Sequence, residues 1–317
     1  PTWQLAGCRG ALNLLGYYFF TGGPNGGCIR QNSTLQRWLH CTAQIFCVRL
    51  INATMHALLR QKRDPVMSDE AWLIREDLDD GIAHIILNRP PVNTYNSAFL
   101  DQLATMLDQL KTEDSVSAVI LSSNSKVFSA GIDLKAALAF DLKDEQAMVR
   151  GLNIALTKLF AFPKPTIVAA SGAAIAGGFL LVLASDYRVA GPKARFGLAE
   201  VRVGVNFPIG PLEIARATLS TNDLRRLMLG GNPITAEAAL AAGIVDCIED
   251  TDAVMERALR VARDYATIPP STFAAVKRQI RGAVIDKINH AMAHGANSPA
   301  KGWFNAETKL AMARMIG

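Results

Sequence analysis

The run from Thr166 to Ser185 contains no charged side chain, which limits what this part of the chain can form. Its length alone would suit a transmembrane helix. Alanine, glycine and serine dominate it, however, and its leucine-rich part, Phe179–Leu183, is too short to cross a membrane. We predict instead a buried strand at 166–170, a tight turn at 171–178 and a buried helix at 179–185. We therefore expect no membrane partner.

Strands and helices alternate on both sides of this run. The turn signal Asp79-Asp80-Gly81 between two apolar stretches predicts a β-hairpin of strands 72–78 and 82–87. Apolar residues at helical spacing predict a helix at 97–111. The other predicted elements are a buried strand at 116–121, a loop at 124–133 and helices at 144–160, 223–229, 236–242, 252–267 and 271–283. The alternation favours an α/β fold.

Basic side chains are concentrated at the front of the chain. The formal net charge is +5, and residues 1–66 carry seven of the 33 basic side chains but one of the 28 acidic ones. The front is therefore +6 and residues 67–317 are −1. Because the body has no basic bias, we expect no nucleic-acid partner.

Residues 1–66 are expected to be a disordered extension without a domain of their own. Their first acidic side chain is Asp64, whereas Met67-Ser-Asp-Glu is typical of a cytosolic N-terminus. We interpret the segment as upstream sequence, with an organelle presequence or a short secretory segment at 11–20 as alternatives. We predict a core domain at 67–260 and a helical region at 261–317. The expected location is the cytoplasm, or the mitochondrial matrix if 1–66 is a presequence.

Cysteine and histidine give no sign of a metal centre. Cys247 is the only cysteine beyond residue 66, and no pair of cysteines has the CxxC spacing. We expect no disulfide and no structural zinc. His290 and His294 have a helical metal-ligand spacing, but we interpret them as surface side chains and predict no metal site.

Two glycine-containing loops each lead into a predicted helix. In the first, Phe128–Lys135, Gly131 can adopt a backbone conformation closed to other residues, and Asp133 suits a helix N-cap. The second is Ala176-Gly-Gly-Phe-Leu180. The first amides of a helix have no partner within it, so both loops suit a negatively charged oxygen. Each loop by itself has a simpler explanation: the first could be only a turn, and the second could reflect only close packing.

Further motifs accompany these loops in a fixed order: Asn88-Arg-Pro-Pro, Ser171–Gly178, Ala184-Ser-Asp-Tyr-Arg188, Phe196–Gly204 and Gly231–Ile248. Together they resemble the crotonase (enoyl-CoA hydratase/isomerase) family over nearly all of residues 67–317. The resemblance implies a crotonase-like spiral of repeated strand–strand–helix units with a C-terminal helical region that builds homotrimers, often paired as hexamers. It also implies an acyl-CoA thioester substrate, with coenzyme A as part of the substrate and no separate cofactor.

The resemblance assigns an oxyanion-binding role to the amides of Ile132 and Gly177. Removing a proton beside a thioester carbonyl places charge on its oxygen, and preorganised amides stabilise that charge. The neighbouring residues expected to contact the substrate are Ala130, Gly131 and Gly178. Lys135 matches a position near the coenzyme A phosphates, with a solvated helix lysine as the alternative.

The acid/base residues, rather than these amides, select the reaction. Hydratases of the family use two glutamates; one position matches Glu200 and the other matches Leu180. Leucine cannot orient water or exchange protons, so two-glutamate hydration is unexpected here. Glu200 with Leu180 resembles the pattern of Δ3,Δ2-enoyl-CoA isomerases, in which one carboxylate moves a proton between two carbons.

The apolar surroundings of Glu200 are expected to raise its pKa; they are Phe196, Leu198, Val201 and Val203. Without the family resemblance, Glu200 could equally face solvent from a strand. The segment Val205–Pro211 is expected to shape the acyl pocket, with Phe207 contacting substrate. Asn206 is expected to supply a polar contact, with a turn role as the alternative.

The sequence thus predicts an enoyl-CoA isomerase with Glu200 as its single acid/base. One alternative is a hydratase or another enolate-forming lyase that uses a further, unidentified group. The other is a non-catalytic acyl-CoA-binding member of the family, because a fold alone does not establish turnover.

Overall fold

The structure, a computed structural model, describes residues 72–316, so the expectations for residues 1–66 lie outside the described residues. The strands are β1 (Leu73–Leu78), β2 (Ile82–Leu87), β3 (Thr94–Tyr95), β4 (Ala118–Ser123), β5 (Gly131–Ile132), β6 (Thr166–Ala170), β7 (Ala174–Ile175), β8 (Tyr187–Ala190), β9 (Arg195–Gly197), β10 (Ile234–Thr235) and β11 (Cys247–Ile248). The helices are α1 (Ser97–Thr112), α2 (Leu134–Ala137), α3 (Leu142–Phe160), α4 (Gly177–Ala184), α5 (Ile209–Thr218), α6 (Thr221–Gly230), α7 (Ala236–Ala241), α8 (Val254–Ala266), α9 (Pro270–Ala291) and α10 (Thr308–Ile316).

A six-stranded sheet in the order β1-β2-β4-β6-β8-β11 forms the centre of the fold. The predicted hairpin is confirmed, with β1 antiparallel to β2 and Leu78 opposite Ile82. The other strands run parallel. Since β1 is an edge strand, its Arg75, Glu76 and Asp77 place charged side chains along one edge of the sheet.

The strands β2, β4, β6 and β8 are each followed by a short strand and then by a helix. The short strands form two small sheets, β3-β5 and β10-β9-β7, which a bridge between Ser129 and Ala174 connects. This repeated strand–strand–helix arrangement confirms the crotonase-like α/β fold. Because β2, β4, β6 and β8 run parallel, the loops after their carboxyl ends lie at the same end of the sheet, where α/β proteins bind ligands.

Apolar side chains cover both faces of the central sheet. On one face Ala83, Ile85 and Leu87 of β2 join the large core beneath α1 and α3. On the other face Ile82 packs with Ile120 and α8. The alternation along β2 follows from the two-residue period of a strand, so the sheet is buried on both sides, as parallel sheets usually are.

Side-chain caps fix where the long helices begin. Asn96 accepts a hydrogen bond from the Phe99 amide at 2.8 Å at the start of α1. Asp141 and Asp144 form a reciprocal capping box at the start of α3. Such caps satisfy amides that the first turn leaves unpaired. The observed α1 matches the predicted helix at 97–111, and α3 begins two residues before its predicted start.

The structure contains elements that the sequence prediction lacks, among them the short strands β3, β8, β9, β10 and β11. The expected loop at 124–133 contains β5, and the expected turn at 171–178 contains β7 and the first residues of α4. Two-residue strands are too short to produce a periodic pattern. Two helices, α5 and α10, were not predicted. No helix within 72–316 is both long and apolar enough to cross a membrane.

Candidate active site

The first loop is fixed by strand pairing and by a buried serine. β5 pairs with β3, with Ile132 opposite Tyr95. The Ser129 hydroxyl donates to the Asn93 carbonyl oxygen at 2.7 Å and accepts a hydrogen bond from the Gly131 amide at 3.1 Å. Gly131 has a φ of +82°, which glycine adopts without the penalty that a Cβ atom would cause. These contacts set the direction of the Ile132 amide.

The second loop turns sharply at Ala176, which has φ +51° and ψ −123°. This conformation is uncommon for a residue other than glycine. The amides of Phe179 and Leu180 both donate to the Ala176 carbonyl oxygen, at 2.9 and 3.1 Å. Gly177 is the first residue of α4, so its amide has no acceptor within the helix.

The two loops are in direct contact. A Cβ atom on Gly131 would lie 2.9 Å from the Ala176 Cβ and 3.0 Å from the Gly177 nitrogen. A Cβ atom on Gly177 would lie 2.9 Å from the Tyr95 ring, whose hydroxyl donates to the Gly177 carbonyl oxygen at 3.4 Å. Only glycine allows this approach. The amides of Ile132 and Gly177 therefore belong to neighbouring backbone segments, and Tyr95 contacts the second while its own strand pairs with the first.

Glu200 begins a 3₁₀ turn, Glu200–Val203, that follows β9. Its side chain is 6 % exposed, and its Oε2 has no hydrogen-bond partner among the described residues. Burial raises the pKa of Glu200 from an ordinary value near 4.5 to about 8. A carboxyl group with such a pKa can hold or release a proton near neutral pH, as an acid/base catalyst must.

Three of the four predicted apolar neighbours of Glu200 are buried: Phe196, Leu198 and Val203. Val201 is the exception, because its side chain is 45 % exposed. The segment forms a 3₁₀ turn there, so successive side chains point in different directions and Val201 faces solvent. The alternative that Glu200 faces solvent from a strand is wrong.

Glu200 and both loops line one cavity of about 170 Å³. The sequence-predicted residues that it brings together are Ala130, Ile132, Gly177, Leu180, Glu200 and Phe207. Gly131 and Gly178 are buried in the loops. Leu180 is 2 % exposed and lies in α4, and it lines the same cavity as Glu200.

Two predicted substrate contacts lie outside this lining. Lys135 is exposed on α2, so its approach to coenzyme A stays a prediction. Asn206 requires a correction, because its side chain is exposed and does not line the cavity. Its backbone carbonyl oxygen instead accepts a hydrogen bond from Trp303 Nε1 at 2.8 Å.

The sequence interpretation missed the part of the cavity lining that the C-terminal segment supplies through Trp303, Met312 and Met315. Thr308, Met312 and Met315 follow the i, i+4, i+7 spacing of one helix face. That spacing could have indicated α10. No local signal marks Trp303, which comes to the cavity through contacts distant in sequence.

Replacing Glu200 with glutamine is expected to raise the melting temperature by about 5–10 °C at pH 8 and very little at pH 5. Below pH 4.5 folded and unfolded states are both protonated. As pH rises towards 8, the unfolded state releases the proton while the folded state keeps it, so wild-type stability falls. Calorimetric scans from pH 5 to 9 measure the difference. The exposed Glu307→Gln is the control, and a pH-independent difference for Glu200→Gln would contradict the assignment.

Comparison with known proteins identifies relatives along most of the described chain. The family model described as enoyl-CoA hydratase/isomerase matches residues 77–301. A Mycobacterium tuberculosis protein described as a probable enoyl-CoA hydratase, EchA17, is 33% identical over 204 residues, which cover 64% of this chain and 77% of the relative. The 2,3-dehydroadipyl-CoA hydratase of Escherichia coli is 34% identical over 199 residues, covering 62% and 77%.

A solved structure shares the fold. The human mitochondrial Δ3-Δ2-enoyl-CoA isomerase superimposes with a TM-score of 0.70 at 24% sequence identity, covering 77% of this chain and 96% of that one. At this level of identity the likeness supports the fold alone. The family resemblance given by the sequence motifs is confirmed by the family model.

Proposed function

Because this chain belongs to the enoyl-CoA hydratase/isomerase family, we propose that it moves a double bond in an acyl-CoA thioester, converting a 3-enoyl to a 2-enoyl group. One observation carries the proposal. Among the described residues that line the cavity, Glu200 has the only ionisable side chain. Leu180 stands where the hydratases that this chain resembles have their second glutamate.

The proposed reaction needs a single proton carrier. With its oxygen held by the amides of Ile132 and Gly177, the thioester carbonyl polarises, and the Glu200 carboxylate removes a proton from carbon 2. The electron pair passes to the carbonyl oxygen as an enolate, which the two amides stabilise. The protonated Glu200 then donates the same proton to carbon 4, and the enolate collapses to the conjugated product. The cycle consumes no water and needs no second base.

The burial of Glu200 suits this cycle. A carboxyl group with an ordinary pKa would lose the proton to water too readily, whereas a pKa of about 8 lets it keep the proton between the two half-reactions. The unpartnered Oε2 leaves one oxygen free of protein hydrogen bonds within the described part of the chain. That oxygen is the one we assign to proton transfer.

Hydration is the alternative that the relatives favour, since the curated proteins described above carry hydratase names. Adding water to a 2-enoyl group requires one residue to activate water and another to protonate carbon 2, or one residue assisted by a second polar group. Leu180 supplies neither role, and Trp303 uses its Nε1 for the Asn206 carbonyl oxygen. We therefore place hydration second.

Supplying a 3-enoyl-CoA and a 2-enoyl-CoA separately tests the proposal. We expect the ultraviolet absorbance of the conjugated thioester to rise with the first substrate and to stay constant with the second. Rapid loss of that absorbance with the second substrate would identify a hydratase. Binding of acyl-CoA with neither change would identify a non-catalytic member of the family.

A further inference from the structure

We propose that residues 302–315, here called the C-terminal wall, select the acyl chain, and that the site takes uncharged hydrocarbon chains of about six to eight carbons. This inference rests on the proposed function, because it concerns the substrate of the same site. It assigns a specificity role to a segment that the motifs of the family resemblance do not include.

The C-terminal wall supplies part of the cavity lining. Trp303 and Met312 line the cavity and are almost completely buried, at 8 % and 1 % exposed. Met315 also lines the cavity but is 49 % exposed, so it lies where the cavity reaches the surface. The wall therefore contributes two buried side chains and one partly exposed side chain to the lining.

A buried carboxylate holds the wall against α3. Glu145 Oε2 accepts hydrogen bonds from the Trp303 amide at 2.6 Å and the Phe304 amide at 3.0 Å. A Cβ atom on Gly302, which has a φ of +78°, would overlap that oxygen. Charge-assisted hydrogen bonds to two successive amides are stronger than neutral ones. Glu145 is therefore a positioning residue for the Trp303 ring.

The wall is also joined to the segment that carries Glu200. The Thr308 hydroxyl donates to the Gly204 carbonyl oxygen at 2.7 Å, and Asn305 Nδ2 donates to the same oxygen at 3.2 Å. Together with the bond from Trp303 Nε1 to the Asn206 carbonyl oxygen, these contacts connect the wall to the chain immediately after the 3₁₀ turn. The position of the wall and the position of Glu200 are therefore coupled.

The chemistry and size of the lining define the acyl group. No lysine, arginine or histidine lines the cavity among residues 72–316, so a negatively charged chain end would be buried without a partner, which is costly. An apolar protein cavity of about 150 Å³ holds a six-carbon ring. The present cavity, about 170 Å³, is comparable. Because the methionine side chain is flexible, Met312 of the C-terminal wall can move to admit an acyl chain one or two carbons longer.

Binding of saturated acyl-CoA thioesters from butanoyl to dodecanoyl tests the inference without any turnover. In titration calorimetry we expect Kd to fall by about fourfold for each added methylene up to about octanoyl. Beyond that chain-length limit Kd should stay constant. In Met312→Ala the tightening should continue for at least two further carbons. In Met312→Leu, which keeps the volume, the wild-type limit should remain. A hexanoyl chain ending in a carboxylate should bind at least tenfold more weakly than hexanoyl itself.

Glu145→Gln tests whether the hydrogen bonds from the Trp303 and Phe304 amides to Glu145 fix the C-terminal wall. Loss of the charged acceptor should weaken the chain-length limit, so that decanoyl-CoA binds at least fivefold more tightly than to the wild type. The control Glu256→Gln, an exposed side chain of α8 outside the wall, should leave the limit unchanged. Tightening that continues to dodecanoyl in the wild type, or an unchanged limit in Met312→Ala, would overturn the inference even if the protein isomerises 3-enoyl-CoA. A limit at octanoyl without isomerisation would instead overturn the proposed function and leave the wall assignment intact.

Discussion

Glu200→Gln is expected to reduce kcat/KM for 3-enoyl-CoA by about 10³-fold, because one side chain performs both proton transfers. Glutamine has nearly the same shape but cannot accept and return a proton. Binding of a saturated acyl-CoA should change less than threefold, since the amides and the apolar lining remain. Steady-state kinetics and titration calorimetry on the same preparation measure the two effects.

The pH profile of the wild-type enzyme identifies the group that titrates. The free enzyme must hold Glu200 as a carboxylate to remove the first proton, so kcat/KM should rise with pH and level off above about 8. The residual activity of Glu200→Gln should lack this rise. A variant that retains more than a tenth of wild-type activity with an unchanged profile would mean that another group carries the proton.

Gly131→Ala is expected to lower kcat for the same reaction by about 10²–10³-fold, the loss typical of removing one donor to a developing oxyanion. The added Cβ would lie 2.9 Å from the Ala176 Cβ and 3.0 Å from the Gly177 nitrogen, so the two loops must separate. The φ of +82° adds backbone strain for alanine. Because the amides bind the enolate more strongly than the ground-state carbonyl, kcat should fall more than KM rises.

Gly243→Ala is the matched control for this substitution. Gly243 also has a positive φ, +67°, but an added Cβ would meet no atom within 4 Å. It should cost about 1 kcal/mol of stability through backbone strain and leave kcat unchanged. If Gly131→Ala lost no more activity than Gly243→Ala while both remained folded, the contact between the two loops would not matter for catalysis.

The order of the main elements could be predicted from the sequence because local signals determine it. The hairpin depends on the adjacent residues Asp79, Asp80 and Gly81, and α1 depends on apolar spacing within one helix. The two loops were recognisable because their glycines and their order along the chain carry the resemblance. Each of these signals lies within a short stretch of sequence, where propensity and period are informative.

The residues that were missed depend on contacts between distant parts of the chain. α5 begins with Ile209-Gly-Pro211, which is typical of a turn, yet proline is tolerated in a first helical turn because its missing amide hydrogen would be unpaired there. The Gly210 amide is instead paired with Asn153 Oδ1 of α3 at 2.9 Å. Trp303 reaches the cavity through Glu145, which is likewise on α3. No local pattern contains such pairings.

The charged strand β1 also limits how copies of this protein can aggregate. An exposed sheet edge offers unpaired backbone groups to a strand from another molecule, and charged side chains on that edge oppose such pairing. Here Arg75, Glu76 and Asp77 occupy one edge, and at the opposite edge β11 has only two residues. Within residues 72–316, neither edge therefore gives a long apolar template, so both edges oppose strand addition between copies of the protein.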